Sequence, residues 1–475
     1  MGEESSATTG LAKGDNLPAE MEGARRGRSN SSLTPQAFCA TIFLTNLRKA
    51  VAELAAQGQP RKAADRFLIR GINQSIVLNL IRSHAPISRP RLAALSGLSQ
   101  VTVIKIVNSL LERQLILERE GMESTGGRRA GLLELHPEGG FAIGLIPQPD
   151  SLTAAIVNLT GDLVMARQWP LTLAGQQQRV IELIAACVEE LLSGGELPRA
   201  RVIGLGLGLS GLIDAERGWC LQSHILGWKE LPIREPLEER LGLPVFVDND
   251  VNCLAIYEKL FGLARAYNHA LVVAIGRGVG LGLILNGDLY RGAFGGAGEF
   301  GHTAVALDGR RCNCGNRGCL ETYVSESGIV QNYLEAVQAA SAVPLQLDPL
   351  WQPSTPTLGE VIARARAGEE AARAAIGRAG LLLGVALANL VNLLNPECII
   401  LSSPDTSLGV SDLLLDSLRT TYEQHVFAQM GRDLRFLTVK KPGYESWARG
   451  AGSLVLRHFF APPAQLRAEP GLPES

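Results

Sequence analysis

His302, Cys312, Cys314 and Cys319 fall within eighteen residues of a 475-residue chain. One imidazole and three thiolates make the soft nitrogen–sulfur set that a tetrahedral Zn²⁺ prefers. Gly315 and Gly318 stand between the last two thiols, where they let the backbone turn tightly enough for four ligands to converge. The spacing predicts a closed structural zinc site, and a closed site performs no chemical step at the metal. Two other readings exist: buried free cysteines beside a core histidine, or a disulfide. Cys-x-Cys pairs bridge poorly, and nothing else in the chain marks it as secreted. Glu299 and Glu321 flank the cluster and are not needed as ligands. Beside a rigid turn, two carboxylates suit a polyhydroxylated ligand, accepting from its hydroxyls. The plainer alternative is two surface acids.

Glu299-Phe300-Gly301-His302, followed by Cys312-Asn313-Cys314-Gly315-Asn316-Arg317-Gly318-Cys319-Leu320-Glu321, is similar to the signature of the ROK family of repressors, open reading frames and sugar kinases. Val247-Asp248-Asn249-Asp250 ends a strand and opens a helix, and it resembles the family's Asn-Asp motif. In that motif the Asn binds sugar hydroxyls and the Asp is the general base of the kinases. The resemblance implies that Asn249, Asp250, Glu299, His302 and Glu321 ring one sugar, with His302 also on the zinc. Without it, Asn249 reads equally well as a helix cap, Asp250 as a first-turn acid and His302 as a metal ligand alone.

The nucleotide side departs from the family pattern. Where its kinases carry Asp-x-Gly-Gly-Thr, this chain has Ile146-Pro147-Gln148-Pro149-Asp150. The acid and both glycines are gone, and the two prolines have no N–H to offer a phosphate. Asn158 stands where the family has an Asp at the end of the next strand, and Ser402-Ser403-Pro404 where it has the Gly-Gly of the adenosine loop. The glycine-rich run Gly276–Gly280 survives, and such a run alone is weak evidence. The resemblance therefore implies a sugar bound without phosphorylation, with Asp250 left as a degenerate kinase-base position and no catalytic residue.

These residues need elements to carry them. The length suits about three domains of ~100–200 residues. A net charge of −2 and 46% hydrophobic residues fit a globular chain. There is no run of eighteen uncharged apolar residues and no signal-peptide pattern, and the other cysteines lack framework spacing. Together they predict a cytoplasmic protein that does not engage a membrane. Residues 1–65 read as a disordered tail, with a possible accessory helix over Gln36–Gln57, and residues 461–475 as a second tail.

Residues 66–136 form a basic unit, with ten Lys or Arg against five Glu and no Asp. Ile72–Ser83 has helical periodicity, Ser88 is placed to cap a second helix through Leu95, and Gly97 turns the chain into a third over Gln100–Arg113. Two short strands around Arg128-Arg129 complete a winged helix-turn-helix. Ser99 then caps the recognition helix, Gln100, Thr102 and Lys105 face the major groove, and Arg128 and Arg129 reach phosphates. A helical domain for protein contacts is the alternative. In the family this unit marks the repressor branch, whose common Thr-Val-Ser is Thr102-Val103-Ile104 here.

Beyond residue 137, strands at Phe141–Leu145, Ala154–Leu159 and Val202–Leu209 alternate with a helix near Arg179–Leu192, and a second α/β half starts near Ala270. The duplication resembles the two-lobed actin-like, ribonuclease-H-like fold of the family, here spanning residues 137–460. The expectation is a sugar-responsive DNA-binding repressor of carbohydrate genes, a homodimer or homotetramer that binds operator DNA and a sugar or sugar phosphate. The alternatives are a sugar kinase with an appended DNA-binding domain and a repressor switched by a protein partner.

Overall fold

The structure, a computed structural model, describes residues 62–120, 131–195, 197–340, 356–403, 412–439 and 443–462, with the side chains of 62–68 and 120 left aside. Arg128, Arg129, Pro404 and the segment Gln36–Gln57 lie outside the described residues.

The chain opens with α1 (Lys62–His84), β1 (Ile87–Ser88), α2 (Arg89–Ser96), α3 (Gln100–Glu112), β2 (Ile116–Glu120) and β3 (Gly131–Leu135). The strands form an antiparallel sheet in the order β1-β3-β2, which with the three helices makes a winged helix. The expected boundary at 65/66 falls inside α1. Gly97 closes α2 in the left-handed region, φ 67°, donating to the Ala93 carbonyl. Ser99 then caps α3, its hydroxyl accepting from the Thr102 N–H at 3.2 Å. The cap expected of Ser88 is not made by its side chain. Ser88 is instead paired with Leu132 in β1, and Pro90 supplies the preset first turn.

The first lobe contains β4 (Phe141–Pro147), β5 (Ser151–Asn158), β6 (Leu163–Pro170), α4 (Val180–Ser193), β7 (Val202–Leu209), β8 (Leu212–Asp214), β9 (Trp219–Ser223), β10 (Trp228–Pro232), α5 (Arg234–Leu241), β11 (Val245–Asn249) and α6 (Asp250–Leu260). The second contains β12 (Ala270–Ile275), β13 (Val279–Leu285), β14 (Asp288–Tyr290), α7 (Glu321–Val324), α8 (Glu326–Ala340), α9 (Leu358–Arg366), α10 (Glu370–Leu394), β15 (Cys398–Ser402), α11 (Asp412–His425) and β16 (Arg435–Thr438). The last helix, α12 (Tyr444–Phe460), returns to the first lobe.

Each lobe has a five-stranded sheet, ordered β11-β7-β4-β5-β6 and β16-β15-β12-β13-β14. In both, the central strand is antiparallel to its hairpin partner and parallel to the strand on its other side. The same topology twice, with paired order and sense, is the duplicated actin-like architecture expected from the sequence. β4, β7 and β11 end together, and β12 and β15 end together, so ligands belong at those carboxyl edges.

α12 lies directly on the first sheet. A Cβ at Gly144 of β4 would stand 1.8 Å from the Ala448 carbonyl oxygen, and one at Gly206 of β7 would stand 2.0 Å from that of Ala451. Glycine is required at both for the helix to sit this close. The far end of α12 meets the winged helix. Asn79 of α1 donates to the Phe460 carbonyl at 2.8 Å, Ser75 to that of Ala461 at 3.2 Å, and the Arg82 guanidinium stacks over the Phe460 ring. Ile81, Leu110, Leu159, Val455 and Phe460 share one apolar cluster, so the winged helix and the first lobe have a continuous core at this junction.

Among the described residues, α10 is long and apolar enough to cross a membrane by length and composition. It is packed against α8, α9 and α11, and supplies Ala379, Leu383, Leu387 and Val391 to the core of the second lobe.

Candidate ligand cleft and metal cluster

The two lobes enclose a cleft of about 480 Å³ at the carboxyl ends of the parallel strands. Asn249, Asp250, Glu299, His302 and Glu321 all line it, drawn from β11, α6, the loop before α7 and α7 itself. Asn249 also caps α6: its carbonyl oxygen accepts from the N–H groups of Val251 and Asn252 at 2.8 and 3.2 Å, and its amide donates to the Gly211 carbonyl at 3.2 Å. The side chain is thereby fixed at the strand–helix junction.

Asp250 begins α6, and burial pushes its carboxyl up to about 6, against the pull of the Val251 N–H and with Glu299 adding to the rise. Glu299 is raised too, first by burial, with His302 opposing and Glu321 reinforcing. Glu321 accepts from the Val279 N–H at 3.1 Å, which ties α7 to the glycine-rich turn. The group is a set of acceptors gathered on one side of the cleft.

Beneath it lies a pair that sequence reasoning missed. Asp248, 2% exposed, receives the Arg291 guanidinium at 2.5 and 3.0 Å and accepts from the Asn252 amide at 3.0 Å. A buried charge needs such partners. The two residues are 43 apart in sequence, and nothing local in the sequence announces the contact.

His302, Cys312, Cys314 and Cys319 converge, with their ligand atoms all within 4.8 Å of one another. Cys314 and Cys319 Sγ are 3.7 Å apart, and Cys312 Sγ is 3.6 Å from His302 Nδ1. A tetrahedron with Zn–S near 2.3 Å and Zn–N near 2.05 Å has edges of about 3.8 and 3.6 Å. The sulfur separation is far beyond a disulfide's ~2.05 Å. Gly315 (φ 97°) and Gly318 (φ 70°) make the turns, and a Cβ on Gly318 would lie 1.5 Å from the Ala306 carbonyl oxygen. The described residues thus include a His/Cys₃ cluster shaped to hold a metal ion. His302 turns its other ring nitrogen to Glu299, 3.8 Å away, so one ring faces both the cluster and the cleft. Behind the cluster, Arg310 donates to Glu335, Asn332 and the Thr322 and Gly328 carbonyls, fastening the loop to α7 and α8.

The opposite side of the cleft is built differently. Ile146 is 2% exposed, packed in an apolar cluster with Cys253 and Leu254 of α6. Pro147, Gln148 and Pro149 line the cavity after it, and Tyr444 and Trp447 of α12 close that side. Asp150 meets Arg277 of the glycine-rich turn at 3.4 Å, across the lobes. Asn158 is not part of this region. It pairs with Phe141 at the far end of the hairpin, whereas Pro147 pairs with Leu152 at the cleft end. Its side chain instead accepts from the Thr160 and Asp162 N–H groups to shape the β5–β6 turn.

In the winged helix, Gln100 and Lys105 are exposed and Thr102 is half-buried, its hydroxyl 2.9 Å from that of Ser99. Val101 (63% exposed) and Ile104 (45%) stand on the same outer face, apolar residues the sequence reading did not select.

Comparison with known proteins follows the same division. The ROK family model matches residues 149–458. The xylose repressor of Bacillus spizizenii is 28% identical over 397 residues, covering 84% of this chain and 98% of the repressor. A glucokinase of Halalkalibacterium halodurans is 32% identical over 308 residues, 64% of this chain and 92% of the kinase. Among solved structures, a ROK family transcriptional regulator described as a homologue of the Escherichia coli MLC protein aligns with a TM-score of 0.71 at 27% identity, covering 84% of this chain and 98% of its own. With seventeen residues left after 458, the longer repressor alignment must run back into the winged helix.

Proposed function

We propose that this chain, which belongs to the ROK family, is a sugar-responsive DNA-binding transcriptional repressor of carbohydrate genes, cytoplasmic, and a homodimer or homotetramer on its operator. α12 is the observation that carries the reading. Its first turn supplies Tyr444 and Trp447 to the cleft, and its last residues hold α1 of the winged helix. A helix of seventeen residues spans about 25 Å. Closure of the lobes on a ligand therefore acts on the element to which the DNA-binding unit is docked, provided the ligand favours one arrangement over the other.

In the cleft, sugar hydroxyls donate to Asp250, Glu299 and Glu321, while Asn249 offers its remaining amide hydrogen. A Zn²⁺ held by His302, Cys312, Cys314 and Cys319 would serve as a structural brace. With Nδ1 facing the metal, His302 keeps its Nε2 proton for Glu299 or a sugar oxygen. No phosphoryl transfer is proposed. The kinase acid is replaced by a core isoleucine, and the prolines beside it offer no N–H to a nucleotide phosphate.

On DNA, α3 enters the major groove with Ser99 as its cap. Gln100, Thr102 and Lys105 reach base edges or phosphates, Val101 and Ile104 meet thymine methyls, and Arg128 and Arg129 add salt-sensitive phosphate contacts. The test is binding of the full chain to its own upstream promoter fragment while a panel of free and phosphorylated sugars is titrated. One sugar should release the DNA from the wild type and fail to do so from Asp250→Ala. Binding that ignores every sugar would replace this reading with a protein-switched repressor, and sugar-dependent ATP turnover would replace it with a kinase.

A further inference from the structure

We propose that Arg291 and Asp248 are positioning residues for the ligand: their ion pair crosses between the lobes and sets Asn249 and Asp250 on one side of the sugar against Glu299 and His302 on the other. The inference rests on the sugar-binding reading above and gives a role to a pair that does not itself line the cavity.

The Asp248 carboxylate is used on both of its oxygens. Oδ1 serves the first lobe, accepting from the Asn249 N–H at 2.8 Å and from the Asn252 amide at 3.0 Å. Those two donors stand on either side of Asp250 in the chain, so this oxygen fixes the strand–helix junction that carries both sugar-facing residues. Oδ2 serves the second lobe, receiving Arg291 Nε at 3.0 Å and Nη2 at 2.5 Å. Four donors fill the acceptor sites of a carboxylate. Stability alone gives no reason for charges here, because apolar residues in place of a buried ion pair are often neutral or stabilising. What an apolar contact cannot reproduce is direction, and a carboxylate bonded on both oxygens fixes two elements relative to each other.

Arg291 directly follows β14 and roots the segment that leads to Glu299. Its carbonyl accepts from the Ala297 N–H at 3.0 Å, which closes the segment into a loop. At the far end, the Gly298 carbonyl accepts from the Leu281 N–H of β13 at 3.1 Å. Gly298 has φ 100°, and a Cβ there would lie 2.0 Å from the Leu281 carbonyl oxygen. The loop is thus held at both ends, and Glu299 is the next residue. Midway, a Cβ on Gly295 would come 3.2 Å from the Ile213 carbonyl oxygen, so the loop also lies against β8 of the first lobe. Gly295, Ala297 and Gly298 line the cavity, so a shift of the Arg291 root moves the cavity wall and Glu299 together.

Calorimetric titration of the full chain with D-xylose, D-glucose and N-acetylglucosamine tests this in the wild type, Arg291→Lys, Arg291→Met and the double variant Asp248→Asn/Arg291→Met. The double variant leaves no buried charge alone and keeps an Oδ1 acceptor for Asn249, so it should fold even where Arg291→Met does not. Removing groups that orient ligating side chains weakens metal sites about 10–100-fold, and the sugar is expected to bind the double variant about tenfold more weakly at unchanged stoichiometry. Arg291→Lys, a point charge in place of a fork, should recover part of that loss. A purely structural pair would act differently: stoichiometry would fall with the folded fraction, while the chains that remain folded would keep the wild-type dissociation constant. That result overturns the inference, and so does wild-type affinity in the double variant. If none of the three sugars binds the wild type, the sugar reading falls and takes this inference with it.

Discussion

The β4–β5 and β12–β13 hairpins occupy equivalent places in two sheets of the same topology and face each other across the cleft. Their turns have opposite chemistry. Gly276-Arg277-Gly278 keeps backbone freedom, and its missing side chains let Glu321 approach to within hydrogen-bond distance of Val279. Pro147-Gln148-Pro149 is stiff and poor in N–H groups, and it follows an isoleucine sealed into the core. One fold thus supports a turn that offers the cavity mainly backbone and a turn that offers it mainly side chains. The sheet sets where a ligand sits, and the turn sets what it can be.

That contrast can be broken most forcefully at Ile146. Ile146→Asp restores a carboxylate at a 2%-exposed site among apolar neighbours, so about 3–5 kcal/mol of stability should be lost in chemical denaturation. Full stability combined with new ATP turnover would mean the first hairpin remains a nucleotide loop. Stripping the metal from the other side should act on affinity. Chelation, or Cys319→Ser, is expected to lower sugar affinity about 10–100-fold while metal analysis records the loss of zinc. Unchanged affinity in metal-free protein would separate the cluster from the cleft.

Asp250→Asn comes next, with a sign that depends on pH. The folded protein holds the Asp250 proton up to about 6, well above an unfolded Asp, so the stabilisation from that proton is present in acid and fades as pH rises through about 6. Against wild type, Asp250→Asn should therefore gain about 1–2 kcal/mol at pH 8 and little at pH 4, while losing sugar binding at both. Wild-type sugar affinity should move the other way, weakening below pH 6 as the acceptor is protonated. The smallest effect belongs to the link between the hairpins: Asp150→Asn should change stability by no more than about 0.5 kcal/mol and leave it less sensitive to salt.

The His/Cys₃ cluster was legible in the sequence because its four residues are close along the chain and its glycines mark the turns. The winged helix was legible for a similar reason, since its caps and periodicity are local, although Ser88 shows that a capping residue type does not guarantee a capping bond. Asn158 was misplaced because a strand end is informative only once the direction of the strand is known, and an antiparallel hairpin sends alternate strand ends away from the cleft. β6 and the short β8–β10 sheet went unread. β6 is largely exposed, with only Met165 and Trp169 packed against the core and Arg167 interrupting that face, and the other three strands have three to five residues each. Tyr444, Trp447 and Arg291 reach the site from distant parts of the chain, where periodicity carries no signal.

The docking of α12 on α1 has a consequence for biosynthesis. Asn79 and Phe460 are separated by 381 residues, so this contact must wait until nearly the whole described chain has been translated. A nascent polypeptide arrested before residue 443 contains α1–α3 and the cleft residues Asn249, Asp250, Glu299, His302 and Glu321, joined by contacts such as that of Arg82 with the Leu260 carbonyl but without the helix that touches both. The bridge between the cleft and the first helix is thus completed only after both of the parts it connects have been made.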